Sequence, residues 1–203
     1  MSHWRLAVLC LGAGLAACAT RPSVPPSAAV PPSATAEDHS SLYGLFLAGE
    51  TARDQGRLSL AASLLAHAAQ AGGDTPLLKG QAFDAALKAG DVALAARLAP
   101  TNAASDPDRV RLGALTRGVE AMAEGRDADA YALFSAAPAD DPFRGAALIL
   151  APFAAAGAGD KAHALERPDL SGDGVAQFVA DLDLAKLKDR LGERRQADDA
   201  FKA

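Results

Sequence analysis

Five glycines, Gly56, Gly90, Gly125, Gly159 and Gly192, follow one another at spacings of 34, 35, 34 and 33 residues. Five residues after each stands an alanine: Ala61, Ala95, Ala130, Ala164 and Ala197. Apolar residues at helical spacing precede each glycine and polar residues follow it, so the chain repeats one unit. A glycine between two helices supplies the left-handed backbone conformation that ends the first, and a small alanine lets the second lie close against it. Such a unit cannot bury its apolar face alone, so neighbouring units must stack. Composition agrees with this reading, since 51 of 203 residues are alanine and only 5% are aromatic. Alanine has the best helix propensity and little preference for strands, which excludes an all-β fold and predicts a core of closely packed small side chains.

The period, the glycine and the alanine five residues on resemble the tetratricopeptide repeat (TPR) family over residues 41–203. The resemblance implies an all-α fold, a right-handed α-solenoid of about four and a half helix pairs. It also implies a small residue seven before each glycine and a large one nine after. Gly49, Gly118 and Ala185 occupy the first position in units one, three and five, and Leu65, Phe134 and Phe201 the second. Units two and four depart, with Phe83 and Pro152 at the small position and Ala99 and Pro168 at the large one. Pro152 is expected to kink or restart its helix, because it removes a backbone donor and clashes with the turn before it. The last unit is incomplete: its second helix is expected near Gln196 and the chain stops at Ala203. A solenoid end without a polar outer face is either covered by a partner or continued in a longer protein.

Ahead of the repeats, residues 1–17 carry Arg5, an apolar run from Leu6 to Leu15 and then small residues, the pattern of a secretory signal peptide. The run is shorter than the ~20 residues that span a bilayer. Leu15-Ala16-Ala17-Cys18 resembles the bacterial lipobox, which implies cleavage before Cys18 and lipidation of that residue; Ala19 beside it implies an outer-membrane destination. Residues 18–40 then read as a lipidated cysteine and a Pro/Ser/Ala-rich tether holding five of the twelve prolines. Such a segment is extended, at ~3 Å per residue, and holds the repeats away from the membrane.

The net charge is −5, which removes the attraction to phosphate that nucleic-acid binding needs. Cys10 and Cys18 are the only cysteines, so neither a disulfide framework nor a Cys-based zinc site is available. His3, His39, His67 and His163 lack metal-ligand spacing, and there is no G-x-S-x-G elbow or Walker loop. The sequence thus predicts no enzyme, no metal and no cofactor. Asp169-Leu170-Ser171-Gly172-Asp173-Gly174 imitates the first half of a calcium loop, but its twelfth position is Ala180, which predicts a plain polar connection. The pairs Asp140-Asp141 and Asp198-Asp199 are expected at helix starts. Lys186, Lys188, Arg190, Arg194 and Arg195, interleaved with acids, read as a solvated face.

In the family resembled, the first helix of each pair lines a concave surface. Carried onto this chain, those positions form an apolar row of Tyr43, Phe46, Leu77, Leu87, Leu112, Leu115, Val119, Met122, Ile149, Phe153, Val179 and Leu182. Glu50, Arg53 and Asp84 lie toward one end, Lys186 and Asp189 toward the other. An apolar groove with charged ends suits an amphipathic helix or an extended peptide, and its substitution is then expected to affect capture more than folding. The same residues would serve equally as intramolecular core. The reading is an outer-membrane-anchored, periplasm-facing scaffold or adaptor for a protein or peptide partner. The alternative is an accessory or regulatory subunit of an envelope polysaccharide or peptidoglycan enzyme complex.

Overall fold

The computed structural model describes residues 41–73, 75–102, 106–170, 172–195, 197 and 199. The signal at 1–17, Cys18, the tether at 18–40, Ser171 and Phe201 lie outside the described residues. Among those described there are nine helices and no strand: α1 Leu42–Asp54, α2 Leu58–Ala71, α3 Pro76–Ala89, α4 Val92–Leu98, α5 Pro107–Ala123, α6 Asp127–Ser135, α7 Arg144–Gly157, α8 Lys161–Ala164 and α9 Gly174–Arg190. The helix starts reflect local chemistry. Ser41 Oγ accepts from the Gly44 amide at 3.0 Å and Asp91 Oδ1 from that of Leu94 at 2.9 Å, while Pro76 and Pro107 open α3 and α5.

The five glycine positions share one turn. Their φ angles are 71°, 74°, 73°, 78° and 85°, all in the left-handed region. After each glycine the next amide reaches the carbonyl five residues back: Arg57 to Ala52 at 2.9 Å, Asp91 to Ala86 at 3.0 Å, Arg126 to Ala121 at 2.7 Å, Asp160 to Ala155 at 2.8 Å and Glu193 to Lys188 at 2.8 Å. This is the Schellman arrangement, which satisfies carbonyls that a helix end leaves without partners. The alanine five residues on is buried every time, with Ala61, Ala95, Ala130, Ala164 and Ala197 at 2% exposure or less. The repeat read in the sequence is therefore a repeat of backbone geometry.

Successive helices pack on one another from α1 through α8, so each unit rests on its sequence neighbours. The small and large positions meet as expected in two units. A Cβ on Gly49 would stand 2.8 Å from Leu65 Cγ, and one on Gly118 would stand 2.3 Å from Phe134 Cε1. Unit two exchanges the roles: Phe83, on the first helix, is fully buried, and Ala99, after the second, belongs to the same core cluster. Among the described residues Leu65, Phe83 and Phe134 are the largest fully buried side chains, so each of the first three units is filled by one bulky residue.

Unit four corrects two expectations. Pro152 does not restart its helix, since α7 runs unbroken through it with Pro152 buried. The second helix of that unit is a single turn, α8, and the backbone leaves helical structure well before Pro168. A proline removes one donor and disfavours helix in the residue before it, and this position accommodates both effects by shortening α8. With little of a second helix present, α9 packs directly on α7. Arg194 and Arg195 are helical, close to the start expected for the second helix of unit five, and Gln196 lies outside the described residues. Asp140 and Asp141 do not start a helix either; they sit in a turn, where Asp141 Oδ1 accepts from the Phe143 amide at 2.7 Å ahead of α7.

Candidate functional site

The first helices of the units carry the apolar row, and the structure divides it by burial. Phe46, Leu87 and Leu112 are half-buried and pack against the core shared by the first two units. Leu115, Val119 and Met122 pack in the same way against the core around Phe134 and Ala130. Ile149 and Phe153 on α7 are half-buried as well. The centre of the row is thus largely intramolecular packing.

Its ends are open. Tyr43 on α1 is 69% exposed and Leu77 on α3 is 66% exposed. Together with Leu42, Phe46, Leu78 and Gln81 they line an apolar hollow of about 290 Å³. At the other end Val175, Phe178, Val179 and Leu182 on α9 are 76%, 69%, 39% and 37% exposed. These four residues are spaced three, one and three apart, so they form one face of the helix. Ala180, Leu184 and Leu187 are buried on its other side. Exposed apolar clusters of this kind mark interaction surfaces more often than isolated exposed residues do.

Toward the first end the charged members of the row are occupied within the chain. Arg53 pairs with Glu50 one turn before it on α1. Asp84 accepts from Arg109 through Nε, 3.3 Å from Oδ1 and 3.2 Å from Oδ2, and through Nη2, 2.9 Å from Oδ2. This fork joins α3 to α5, and the carboxylate raises the affinity of the guanidinium for its proton. Sequence reasoning missed Arg109 because it lies on the turn before its unit's apolar pattern begins. A carbon on Gly80 would meet the Arg109 guanidinium at 3.5 Å, so a small residue there leaves room for the bridge. Leu42, Leu78 and Gln81 were missed because they flank the positions carried over. Val175 and Phe178 were legible as the start of a helical stripe through Val179 and Leu182.

Glu50 Oε1 and Gln81 Oε1 are buried side-chain oxygens without a hydrogen-bond partner, one on α1 and one on α3. Such groups cost free energy unless something donates to them, and both stand on helices that border the apolar hollow. The half of a calcium loop has a structural use instead: Asp173 Oδ1 caps α9 by accepting from the Val175 and Ala176 amides at 3.1 and 3.0 Å. Among the described residues no group of three His, Cys, Asp or Glu could hold a metal ion, and no helix is long and apolar enough to cross a membrane. His67 and His163 both lie on second helices as expected, but the imidazole of His163 also contacts the Tyr131 ring, with centroids 5.1 Å apart.

No protein-family model matches the chain, and no curated protein or solved structure matches it either.

Proposed function

We propose that the chain is a tetratricopeptide-type scaffold, a right-handed solenoid that acts by binding a protein partner and not by catalysis. In this reading it is a bacterial lipoprotein. Acyl groups on Cys18 hold it at the outer membrane, and the tether carries the repeats into the periplasm. Two or more buried acyl chains, at about 0.8 kcal/mol per methylene, anchor a protein without a membrane-spanning helix. The five identical glycine turns with their buried alanines support the family assignment. The observation that carries the binding role is the exposed pair Tyr43 and Leu77 beside the hollow between α1 and α3. A partner would enter there with apolar side chains, placing a donor near Gln81 Oε1.

The test is site-specific photo-crosslinking in the intact envelope. A crosslinker at Leu77 should trap one discrete protein, and Tyr43→Asp should abolish that product while leaving the chain's abundance unchanged. A crosslinker at the exposed Lys88 serves as the control. Equal labelling at both positions would remove the binding role. Labelling with a radioactive fatty acid, lost in Cys18→Ser, tests the anchor separately.

A further inference from the structure

A second hollow lies away from the apolar row, where unit four lacks most of its second helix. It measures about 450 Å³ and is bounded by α6, α7 and the turn after α8. That volume falls within the range of small-molecule sites. Its floor is apolar, made by Leu148, Ala151 and Pro152 of α7. Because Pro152 has no N–H, the Leu148 carbonyl lacks its helical donor and remains an acceptor. Tyr131 stands on the wall formed by α6.

Arg144, His163, Glu166, Arg167 and Asp169 line this hollow, Asp169 within electrostatic reach of Arg167, and the charges are not all neutralised. Arg167 is held by Asp181 through two bonds of 2.7 Å, and His163 by Asp160 through Nδ1 at 2.7 Å. Arg144 has no carboxylate partner among the described residues; its guanidinium donates to the Ala137 carbonyl. Glu166 is exposed and its carboxylate accepts no hydrogen bond from the described residues, although it lies within electrostatic reach of His163. A guanidinium and a carboxylate therefore line one hollow without pairing with each other. In water each would be satisfied by solvent, but a ligand of opposite polarity satisfies both at once and places its body on the apolar floor.

We propose that this hollow binds a small zwitterion, a free amino acid or a short unblocked peptide. Its carboxylate pairs with Arg144, its ammonium pairs with Glu166, and its apolar body lies on Leu148 and Pro152. Planar bidentate recognition of a carboxylate is what a guanidinium does best. The site is independent of the apolar row, so its failure would leave the scaffold reading untouched.

The experiment tracks the Tyr131 and His163 ring resonances of the intact chain during titration with alanyl-leucine. Parallel titrations use the N-acetylated dipeptide, the C-amidated dipeptide and free leucine. Both rings should shift with the unblocked dipeptide, and each blocking group should weaken binding about fivefold, as expected for one exposed ion pair. In Glu166→Gln the N-acetyl penalty should vanish while the amide penalty persists, because the two changes remove the same interaction. Arg144→Lys keeps a cation and should keep the amide penalty. Comparison of leucine with the dipeptide identifies the source of the zwitterion. Absence of shifts with either ligand overturns the proposal. Blocked and unblocked peptides binding alike, or an N-acetyl penalty that survives Glu166→Gln, would do the same.

Discussion

Gly118 on α5 and Phe134 on α6 fit so closely that a methyl group on the glycine would sit 2.3 Å from Cε1 of the ring. Phe134 is fully buried, so an added methyl must displace the ring or the helices themselves. Two neighbouring helices are thereby held at a separation that only hydrogen permits.

Gly118→Ala should therefore destabilise the fold by about 1–3 kcal/mol despite the better helix propensity of alanine. Gly49→Ala, facing Leu65 at 2.8 Å, should act in the same direction. Combining Gly118→Ala with Phe134→Leu should recover part of the loss, because the two residues share one contact. Urea unfolding monitored by circular dichroism measures all three. A neutral Gly118→Ala would mean that the helices separate freely at this contact.

Gly125→Ala tests a different cause. Nothing lies within 4 Å of a Cβ there, yet its φ is +73°. The expected cost of about 1–2 kcal/mol is purely conformational. Gly125→Asn should cost less, since asparagine tolerates the left-handed region. Equal losses for alanine and asparagine would point to a steric origin instead.

The period of the glycines made these turns legible in the sequence, and the positions of Gly49 with Leu65 and of Gly118 with Phe134 made the helix contacts legible too. Phe83 and Ala99 looked irregular only because the bulky and small partners exchange helices, and a pattern that fixes residue type at each position cannot register a constant sum of volumes. The restart expected at Pro152 does not occur, for another reason. Loss of one hydrogen bond in a buried helix costs less than abandoning the packing of Ala147, Ala151, Ala154 and Ala155 on its neighbours. The open and closed parts of the apolar row were not legible at all. Leu115 and Tyr43 have similar patterns around them, and only the position of neighbouring helices decides that one supports a core and the other faces solvent.

That division sets the expectation for the row. Leu115→Asp and Met122→Asp should lower stability, because both side chains pack against the core around Phe134. Tyr43→Asp and Phe178→Asp should leave the stability within about 0.5 kcal/mol of the parent, as surface substitutions do. Thermal unfolding of the four variants distinguishes them. If Leu115→Asp is neutral, the centre of the row is groove and not core.

His163 and Asp160 provide a pH test. The hydrogen bond to Asp160 raises the imidazole above its ordinary value, and the same bond lowers the carboxylate. The contribution of a raised histidine is present below its unfolded pKa of about 6.5 and disappears as pH rises through the folded value. That of a lowered aspartate is present above its unfolded value and disappears as pH falls through the folded one. The pair should thus help most in mildly acidic solution, between the two unfolded values. Nuclear magnetic resonance titration should find His163 above 6.5 and returned toward it in Asp160→Asn. An unchanged titration would show that the pair does not persist in solution.

The single turn of α8 divides the array of neighbours at one place. In a linear array each unit borrows stability from the next, and a weak coupling lets one segment open while the rest stays closed. Across this place α9 is held by its packing on α7, by the fork from Arg167 to Asp181 and by the Gln177 amide bonded to Leu170 and Pro168, and the turn after it by Lys161 with Glu193. Two of these four ties are exposed ion pairs, which salt screens. Amide protons of α9 should consequently exchange with solvent ahead of those of α2 and α3, and the gap should widen with ionic strength. The chain then has a stable body and a separately released terminal segment, a hinge in energy without any hinge in sequence.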